Sequence, residues 1–193
     1  MGWVVLVLTD SPFLVGLVGF FRMIPMPILG IIAGTVADRA NRRYISLGAQ
    51  AVNIVAIAML LLTLIFGFAE YWHIALMTLT MGIAWTFDFP ARRSVITDLV
   101  GTHRVVNAMS MDMAAMTGSK MIGPILGGAL LAITTAEVAI FLLLIFYVLG
   151  FVFLLRVHFP ERQLLPEQSS PLKMIAEGFS YMATNRVMLG VIL

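Results

Sequence analysis

The sequence contains no cysteine, and charged residues make up only 11% of it. The absence of cysteine excludes a disulfide framework, a thiolate metal site and a cysteine nucleophile, and it leaves the redox compartment undetermined. The formal net charge is only +2, and the basic residues occur in short clusters rather than on one long face. Nucleic acid is therefore not an expected partner.

Sequence signatures of enzymes are also missing. The three histidines, His73, His103 and His158, are far apart, and no H-E-x-x-H, G-x-S-x-G or G-x-x-x-x-G-K-[ST] pattern occurs. The stretch "TGSK" at 117–120 lacks the upstream spacing of a phosphate loop. We therefore predict no enzymatic activity, no cofactor and no metal site. We interpret the fourteen methionines as adaptable apolar packing rather than a path for soft metals.

Apolar residues, by contrast, are abundant. They make up 61% of the chain and give a mean hydropathy of +1.01, whereas soluble domains are roughly 45–50% apolar. Five segments approach or exceed the ~20 residues that a membrane helix needs: about 13–37, 44–67, 73–97, 105–131 and 137–157. The sequence therefore predicts an all-α fold, a polytopic membrane helical bundle whose main surroundings are the lipid bilayer.

Both ends of the sequence are apolar runs that are too short to span a bilayer. The residues before Thr9 would rise only ~12 Å as a helix, and the last run, "VMLGVIL", is as short. We expect an excerpt of a longer protein, cut inside a membrane helix at each end. The predicted domains are a helix bundle over 1–157, a cytoplasmic central loop with an amphipathic helix over 158–186, and the start of another span over 187–193.

Basic residues fall in every second connection between the predicted spans. Those connections hold Arg39, Arg42 and Arg43, then Arg92, Arg93 and Arg104, and finally Arg156, Arg162, Lys173 and Arg186. The alternate connections hold no Lys or Arg, only Asp10, Glu70 and Glu137. Because cytoplasmic loops are enriched in Lys and Arg, this alternation predicts that the basic connections are cytoplasmic.

The most concentrated charge lies in the stretch "GTVADRANRR", residues 34–43. Its arginines can be simple topology anchors. The arrangement D-R-x-x-R-R also allows a role in joining helices. In that role Gly34 permits two helices to approach closely, and the Asp38 carboxylate interacts with a neighbouring helix end. In that role, Arg39, Arg42 and Arg43 bridge to other cytoplasmic helix ends.

Asp88 and Arg92 stand four residues apart in the polar last part of the third predicted span, which we count with the connection that follows, and Arg93 comes next. Such a pair can be a local helix contact that contributes a few tenths of a kcal/mol. The alternative is a link between this span and the arginines of the stretch 34–43.

Three charged residues in predicted spans are candidates for substrate binding or proton coupling, and Asp112 is the weakest because it is the nearest to the cytoplasmic interface. Arg22 and Lys120 are more than a dozen ångströms from a helix end at ~1.5 Å per residue, and charges at such depth usually face a cavity or a paired acid. Snorkelling to the interface is the alternative. Asp112 lies about 80° around the same helix from Lys120, so both can border one cavity.

Several ordered motifs resemble the major facilitator superfamily. The stretch "GTVADRANRRYISL" resembles the G-x-x-A-D-R-x-G-R-R signature between the second and third helices of that superfamily. Asn41 replaces the usual glycine, and Asn tolerates a left-handed backbone better than most residues. The stretches "FDFPARRSVITDLVGTHRVVNAMS", "KMIGPILGGALL", "LTDSPFLVGLVGFFRMIP" and "EGFSYMATNRVMLGVIL" resemble the enterobactin-exporter-like branch, the transmembrane secretion effectors.

The resemblance implies a fold and a mechanism. The chain would run from late in helix 1 to early in helix 7 of a twelve-helix transporter of the bacterial inner membrane, so it is the N-terminal half and lacks the C-terminal half. Transporters of this type work by alternating access, and exporters usually exchange protons for substrate. In the family the D-R-x-x-R-R element is a latch that stabilises the outward-facing state, a role that Asp38, Arg39 and Arg42 would share.

The stretch "GPILGG" contributes Gly123, Pro124, Gly127 and Gly128. The spacing of Gly123 and Gly127 favours close helix packing with a bend at the proline. The stretch also resembles the antiporter motif on helix 5 of exporters, although Ser119 stands where that motif has a further glycine. Packing alone and packing combined with gating both remain open.

Together these observations predict a secondary transporter that exports a small molecule, such as a siderophore or a drug, in exchange for protons. A membrane-embedded structural or assembly subunit is the alternative, which the charges at Arg22 and Lys120 disfavour because a passive anchor has little reason to tolerate them. An ATP-driven permease is a third hypothesis, but the sequence contains no nucleotide-binding motif.

Overall fold

The fold was analysed in a computed structural model, which describes residues 1–101 and 103–157. The described chain forms α1 (Gly2–Thr9), α2 (Pro12–Met23), α3 (Pro25–Arg39), α4 (Arg42–Ile65), α5 (Tyr71–Val100), α6 (Val105–Ile133) and α7 (Ala136–Arg156). No strand occurs among these residues. The prediction of an all-α membrane bundle is confirmed, whereas the predicted loop 158–186 and the span 187–193 lie outside the described residues.

Within residues 1–101 and 103–157, five stretches of helix are long and apolar enough to cross a membrane. They are α2 with α3 (28 residues), α4 (24 residues), α5 (30 residues), α6 (29 residues) and α7 (21 residues). The first stretch is broken at Ile24 because Pro25 has no N–H with which to continue the helical hydrogen bonds. The sequence predicts each span but treats the first as one uninterrupted helix.

The two ends of α4 are fixed by local hydrogen bonds. At its start the Asn41 side chain accepts a hydrogen bond from the Arg43 N–H at 3.0 Å. Asn41 has an extended backbone (φ −68°) rather than the left-handed one that the sequence suggested, so it serves as an N-cap. At its end Gly67 has φ 71°, a conformation that glycine adopts without steric cost.

The apolar core lies in the half of the bundle farthest from Arg42 and Arg43. It joins α1, α2, α4, α5 and α7, and its largest fully buried side chains are Val5, Ile57, Leu60 and Ile74. The buried core residues of α4 come from its second half, whereas those of α5 come from its first half, which agrees with the antiparallel course of the two helices.

Helix α5 is the centre of the bundle, and α2 crosses it at Gly82. A Cβ at Gly82 would overlap the carbonyl oxygen of Arg22 and lie 3.1 Å from the carbonyl carbon. Only glycine therefore permits this crossing without displacing one helix.

Helix α6 differs from α5 in its packing. Within the part of the chain that the structure describes, no residue of α6 is buried, and Met111, Met121, Ile125 and Leu126 are among its strongly exposed apolar side chains. Such a surface suits contact with lipid or with further apolar protein.

Candidate functional site

Four helices meet at one end of the bundle, which we call the arginine end. There α3, α5 and α7 finish and α4 begins, and α6 begins nearby, after the four residues that follow the end of α5. The charged stretch 34–43 predicted from the sequence forms the connection from α3 to α4 at this end.

Arg42 is the central contact of the arginine end, and it is only 9% exposed. Its guanidinium forms an ion pair with the Asp98 carboxylate on α5. Its Nε–H donates to the Ala37 carbonyl oxygen at 3.2 Å, in the last turn of α3. One side chain therefore joins the beginning of α4 to the ends of α3 and α5.

Arg43 extends the same set of contacts to α7. Its Nη2 donates to the Leu155 carbonyl oxygen at 3.0 Å, one residue before α7 ends. The last carbonyl groups of a helix have no intrahelical donors and carry partial negative charge, so a guanidinium there is favourable. Because Arg42 and Arg43 bond specific partners on three helix ends, they do more than set the orientation of a loop.

The remaining members of the predicted latch are placed differently. The side chains of Asp38 and Arg39 are exposed. A Cβ at Gly34 would meet no heavy atom within 4 Å in the described part of the chain, so the close helix approach expected at Gly34 is not formed there. The latch role of Asp38 and Arg39 stays a prediction.

A cavity of about 310 Å³ lies just inside the arginine end, between α4, α5 and α7. Its polar residues are Ser46, Gln50, Asp88 and Arg92, and its apolar walls are Val95, Ile96, Gly150, Leu154 and Val157. Ser46 lies beside the Asp88 carboxylate. The Gln50 Nε2 donates to the Tyr147 carbonyl oxygen at 3.1 Å and so ties α4 to α7 across the cavity wall.

Asp88 and Arg92 lie on the wall of this cavity, and their part in the predicted latch stays a prediction. The sequence suggested that this pair links α5 to the arginines of the stretch 34–43. The structure forms that link through Asp98, while Asp88 and Arg92 line the cavity. Asp98 was missed as a site residue, although it belongs to the "DLV" of the quoted motif and is one of the few acids in the basic connections.

Arg92 also faces α6. Its Nη1 lies 4.0 Å from Asp112 Oδ1, and its guanidinium lies 5.6 Å from the centre of the Trp85 ring. Arg93 lies 4.5 Å from the centre of the Phe89 ring. The two arginines therefore contact aromatic faces of their own helix. They also donate to methionine sulfurs of α6, Arg92 to Met116 at 3.7 Å and Arg93 to Met113 at 3.8 Å.

The three residues predicted to take part in substrate binding or proton coupling have different surroundings in the structure. Asp112 has 15% of its side chain exposed and lies closest to Arg92 rather than to Lys120. Lys120 on α6 and Arg22 on α2 have exposed side chains. A role for Arg22, Asp112 or Lys120 in substrate or proton coupling stays a prediction.

The motif at 123–128 lies within α6, and Pro124 is inside the helix. A Cβ at Gly123, Gly127 or Gly128 would meet no heavy atom within 4 Å in the described residues. The close packing that the G-x-x-x-G spacing favours therefore has no partner among residues 1–101 and 103–157, and it remains a prediction.

Metal ligands do not cluster in the described chain. Among residues 1–101 and 103–157, no three His, Cys, Asp or Glu side chains are placed to hold a metal ion. His73 has a structural role at the start of α5, where its Nδ1 accepts a hydrogen bond from the Glu70 N–H at 3.1 Å.

Comparisons with known proteins identify the family. Residues 1–193 match the family profile described as transmembrane secretion effector. The chain is 26% identical over 183 residues to the staphyloferrin A transporter of Staphylococcus aureus (strain NCTC 8325 / PS 47). The match covers 93% of this chain and 46% of the relative, so the chain spans about half the length of the curated relative it matches. No solved structure matches the chain.

Proposed function

Since the chain belongs to the transmembrane secretion effectors of the major facilitator superfamily, we propose that it forms the N-terminal half of a secondary transporter that exports a small molecule. The proposed mechanism is alternating access in exchange for protons, with a C-terminal helical half as the partner. The proposed location is the bacterial inner membrane, with the arginine end in the cytoplasm.

The observation that carries this proposal is the set of contacts made by Arg42 and Arg43. They join the ends of α3, α5 and α7 to the start of α4. A transporter of this kind must move its helices as one unit, because alternating access is largely rigid-body rocking of one half against the other. Because the Arg42 and Arg43 contacts join four helix ends, they allow the helices of the described half to move as one unit.

A siderophore is the proposed substrate class, ahead of a drug-like compound. The support is the name of the relative, a staphyloferrin A transporter. At 26% identity, the relative supports the class and does not identify the compound.

Transport in everted membrane vesicles tests the proposal. Vesicles that contain the full-length protein should accumulate a labelled siderophore when their interior is acidified, and a protonophore should abolish the uptake. Asp38→Ala should slow uptake if the predicted latch operates. Absence of uptake for siderophores and drugs alike would contradict export, and uptake that ignored both the proton gradient and Asp38→Ala would contradict the mechanism.

A further inference from the structure

Arg92 lies between two carboxylates that come from different helices. On one side it shares the cavity at the arginine end with Asp88, four residues earlier on α5. On the other side its Nη1 is 4.0 Å from Asp112 on α6, beyond hydrogen-bond distance. The position of Arg92 therefore depends on the charges of both acids.

The contact between Arg92 and Asp112 is incomplete. Both Arg92 Nε and Asp112 Oδ2 are buried, and neither has a hydrogen-bond partner within the described residues. A guanidinium and a carboxylate pair best through two parallel hydrogen bonds. Arg92 Nε is an unused donor and Asp112 Oδ2 is an unused acceptor, so the two atoms could form one of these bonds. A shift of roughly 1 Å by the guanidinium towards Asp112 would bring the Nη1 contact from 4.0 Å to about 3 Å.

We infer that the cavity at the arginine end is a proton-binding site in which Asp88 takes up the proton, and that Arg92 then moves towards Asp112 and draws α6 onto α5. The inference deepens the proposed proton exchange and rests on it. In the proton step, one O–H bond of a hydronium ion breaks, its proton forms an O–H bond with an Asp88 carboxylate oxygen, and a water molecule is released. Asp88 becomes neutral, and Arg92 keeps Asp112 as its acidic partner.

The groups around Asp88 suit this step. Arg92 is the cation on the same helix, α4 contributes the neutral Ser46 and Gln50, and Tyr147 of α7 lies within electrostatic reach of Asp88. Arg22 of α2 acts on Tyr147 as well. Asp98 is roughly 15 Å further along α5, at about 1.5 Å per residue, and is paired with Arg42.

Helix α6 is suited to respond because it is loosely held. None of its residues is buried in the described part of the chain, whereas α5 has ten buried residues. A new pair of hydrogen bonds between Arg92 and Asp112 would therefore change the position of α6 more than that of α5. The proton at Asp88 and the movement of α6 are linked through one guanidinium.

Trp85 provides a native probe, since its ring lies 5.6 Å from the Arg92 guanidinium. The experiment measures Trp85 emission against pH, from roughly pH 5 to 9, in the full-length protein with its other tryptophans replaced by phenylalanine. We expect a one-proton transition. Asp88→Asn should abolish it and fix the emission at its acid-side value, while Asp88→Glu, which keeps a titratable carboxyl, should retain it.

Two further variants complete the test. Asp112→Asn should keep the transition but lose most of its amplitude, because Arg92 is then drawn less strongly to α6. Asp10→Asn is the matched control: Asp10 is exposed, lies between α1 and α2, and has a φ of 48° that Asn accepts. It should leave the transition unchanged.

The outcomes separate the inference from the proposed function. A transition that survives Asp88→Asn, or no transition in the parent protein, would overturn the inference. If transport is driven by protons but the pH transition of Trp85 emission is unchanged in Asp88→Asn, the inference is overturned and the proposed function stands. Transport without proton dependence would remove the proposed exchange, and with it the coupling role of Asp88.

Discussion

At the scale of single residues, Arg42 is buried and its guanidinium contacts two helix ends. It is 9% exposed, its Nε–H reaches the Ala37 carbonyl, and its charge is paired with Asp98. Removing one partner of a buried pair leaves an uncompensated charge, which costs more than the net contribution of the pair. Because the Asp98 side chain is 31% exposed, solvent screens part of this cost.

We expect Arg42→Ala to lower the free energy of unfolding by about 1–3 kcal/mol, as measured by denaturant titration of the detergent-solubilised protein. Asp98→Asn should cost less, because the more exposed partner is removed. The double variant should cost less than the sum of the single variants, with a coupling of about 1 kcal/mol. Strict additivity of the two substitutions would contradict the pair.

The candidate site was partly predictable from the sequence. The D-R-x-x-R-R stretch and the charge alternation indicated that Arg42 and Arg43 bridge helix ends, and the structure shows them doing so. The acidic partner was not predictable from spacing, since Asp88 and Asp98 lie on the same helix. Which acid meets Arg42 depends on where α5 ends relative to α4, and this depends on packing rather than on local sequence.

At the scale of elements, the crossing of α2 and α5 depends on a single glycine. Gly82 is buried, and a Cβ there would conflict with the Arg22 backbone. Backbone atoms cannot move aside as the end of a flexible side chain can. The crossing therefore sets the distance between the two helices near the middle of the first span.

We expect Gly82→Ala to destabilise the protein by about 1–3 kcal/mol, because the added methyl forces the helices apart. Gly48→Ala on α4 is the matched control, since a Cβ there meets no heavy atom within 4 Å. The control should be neutral or more stable by up to about 1 kcal/mol. Thermal unfolding in detergent measures both, and equal effects of the two substitutions would contradict the close crossing.

The spans were predictable because long apolar runs leave few alternatives in a membrane. Details at their ends were not. Asn41 was interpreted as a residue for a left-handed backbone, but it caps α4, a role that depends on where the helix begins. The break at Pro25 was also missed, because membrane helices tolerate proline and the hydropathy of the run is uninterrupted.

At the scale of the whole molecule, charge is distributed between the two ends of the bundle. The arginine end holds Arg42 and Arg43, whereas the connection at the other end of α4 holds Glu70 and no basic residue. Helix α4, with 24 residues, is about 36 Å long at ~1.5 Å per residue and so reaches across the ~30 Å hydrocarbon core. Its two ends should therefore lie on opposite sides of the membrane.

Labelling with a membrane-impermeant maleimide tests this orientation, and the absence of cysteine from this sequence makes single-cysteine variants straightforward to interpret. Tyr44 and Phe66, near the two ends of α4, are 72% and 69% exposed. In intact cells we expect Phe66→Cys to react and Tyr44→Cys to react only after permeabilisation. The reverse pattern would place the arginine end outside.

The separation of the apolar core from the cavity has a mechanical consequence. The core half is filled by interlocking side chains, and close-packed protein interiors have low compressibility. The arginine half encloses about 310 Å³ of space beside its ion pairs. The walls of this cavity are thus the part of the bundle that deforms most easily, whereas the packed core and the helix ends joined by Arg42 and Arg43 resist deformation.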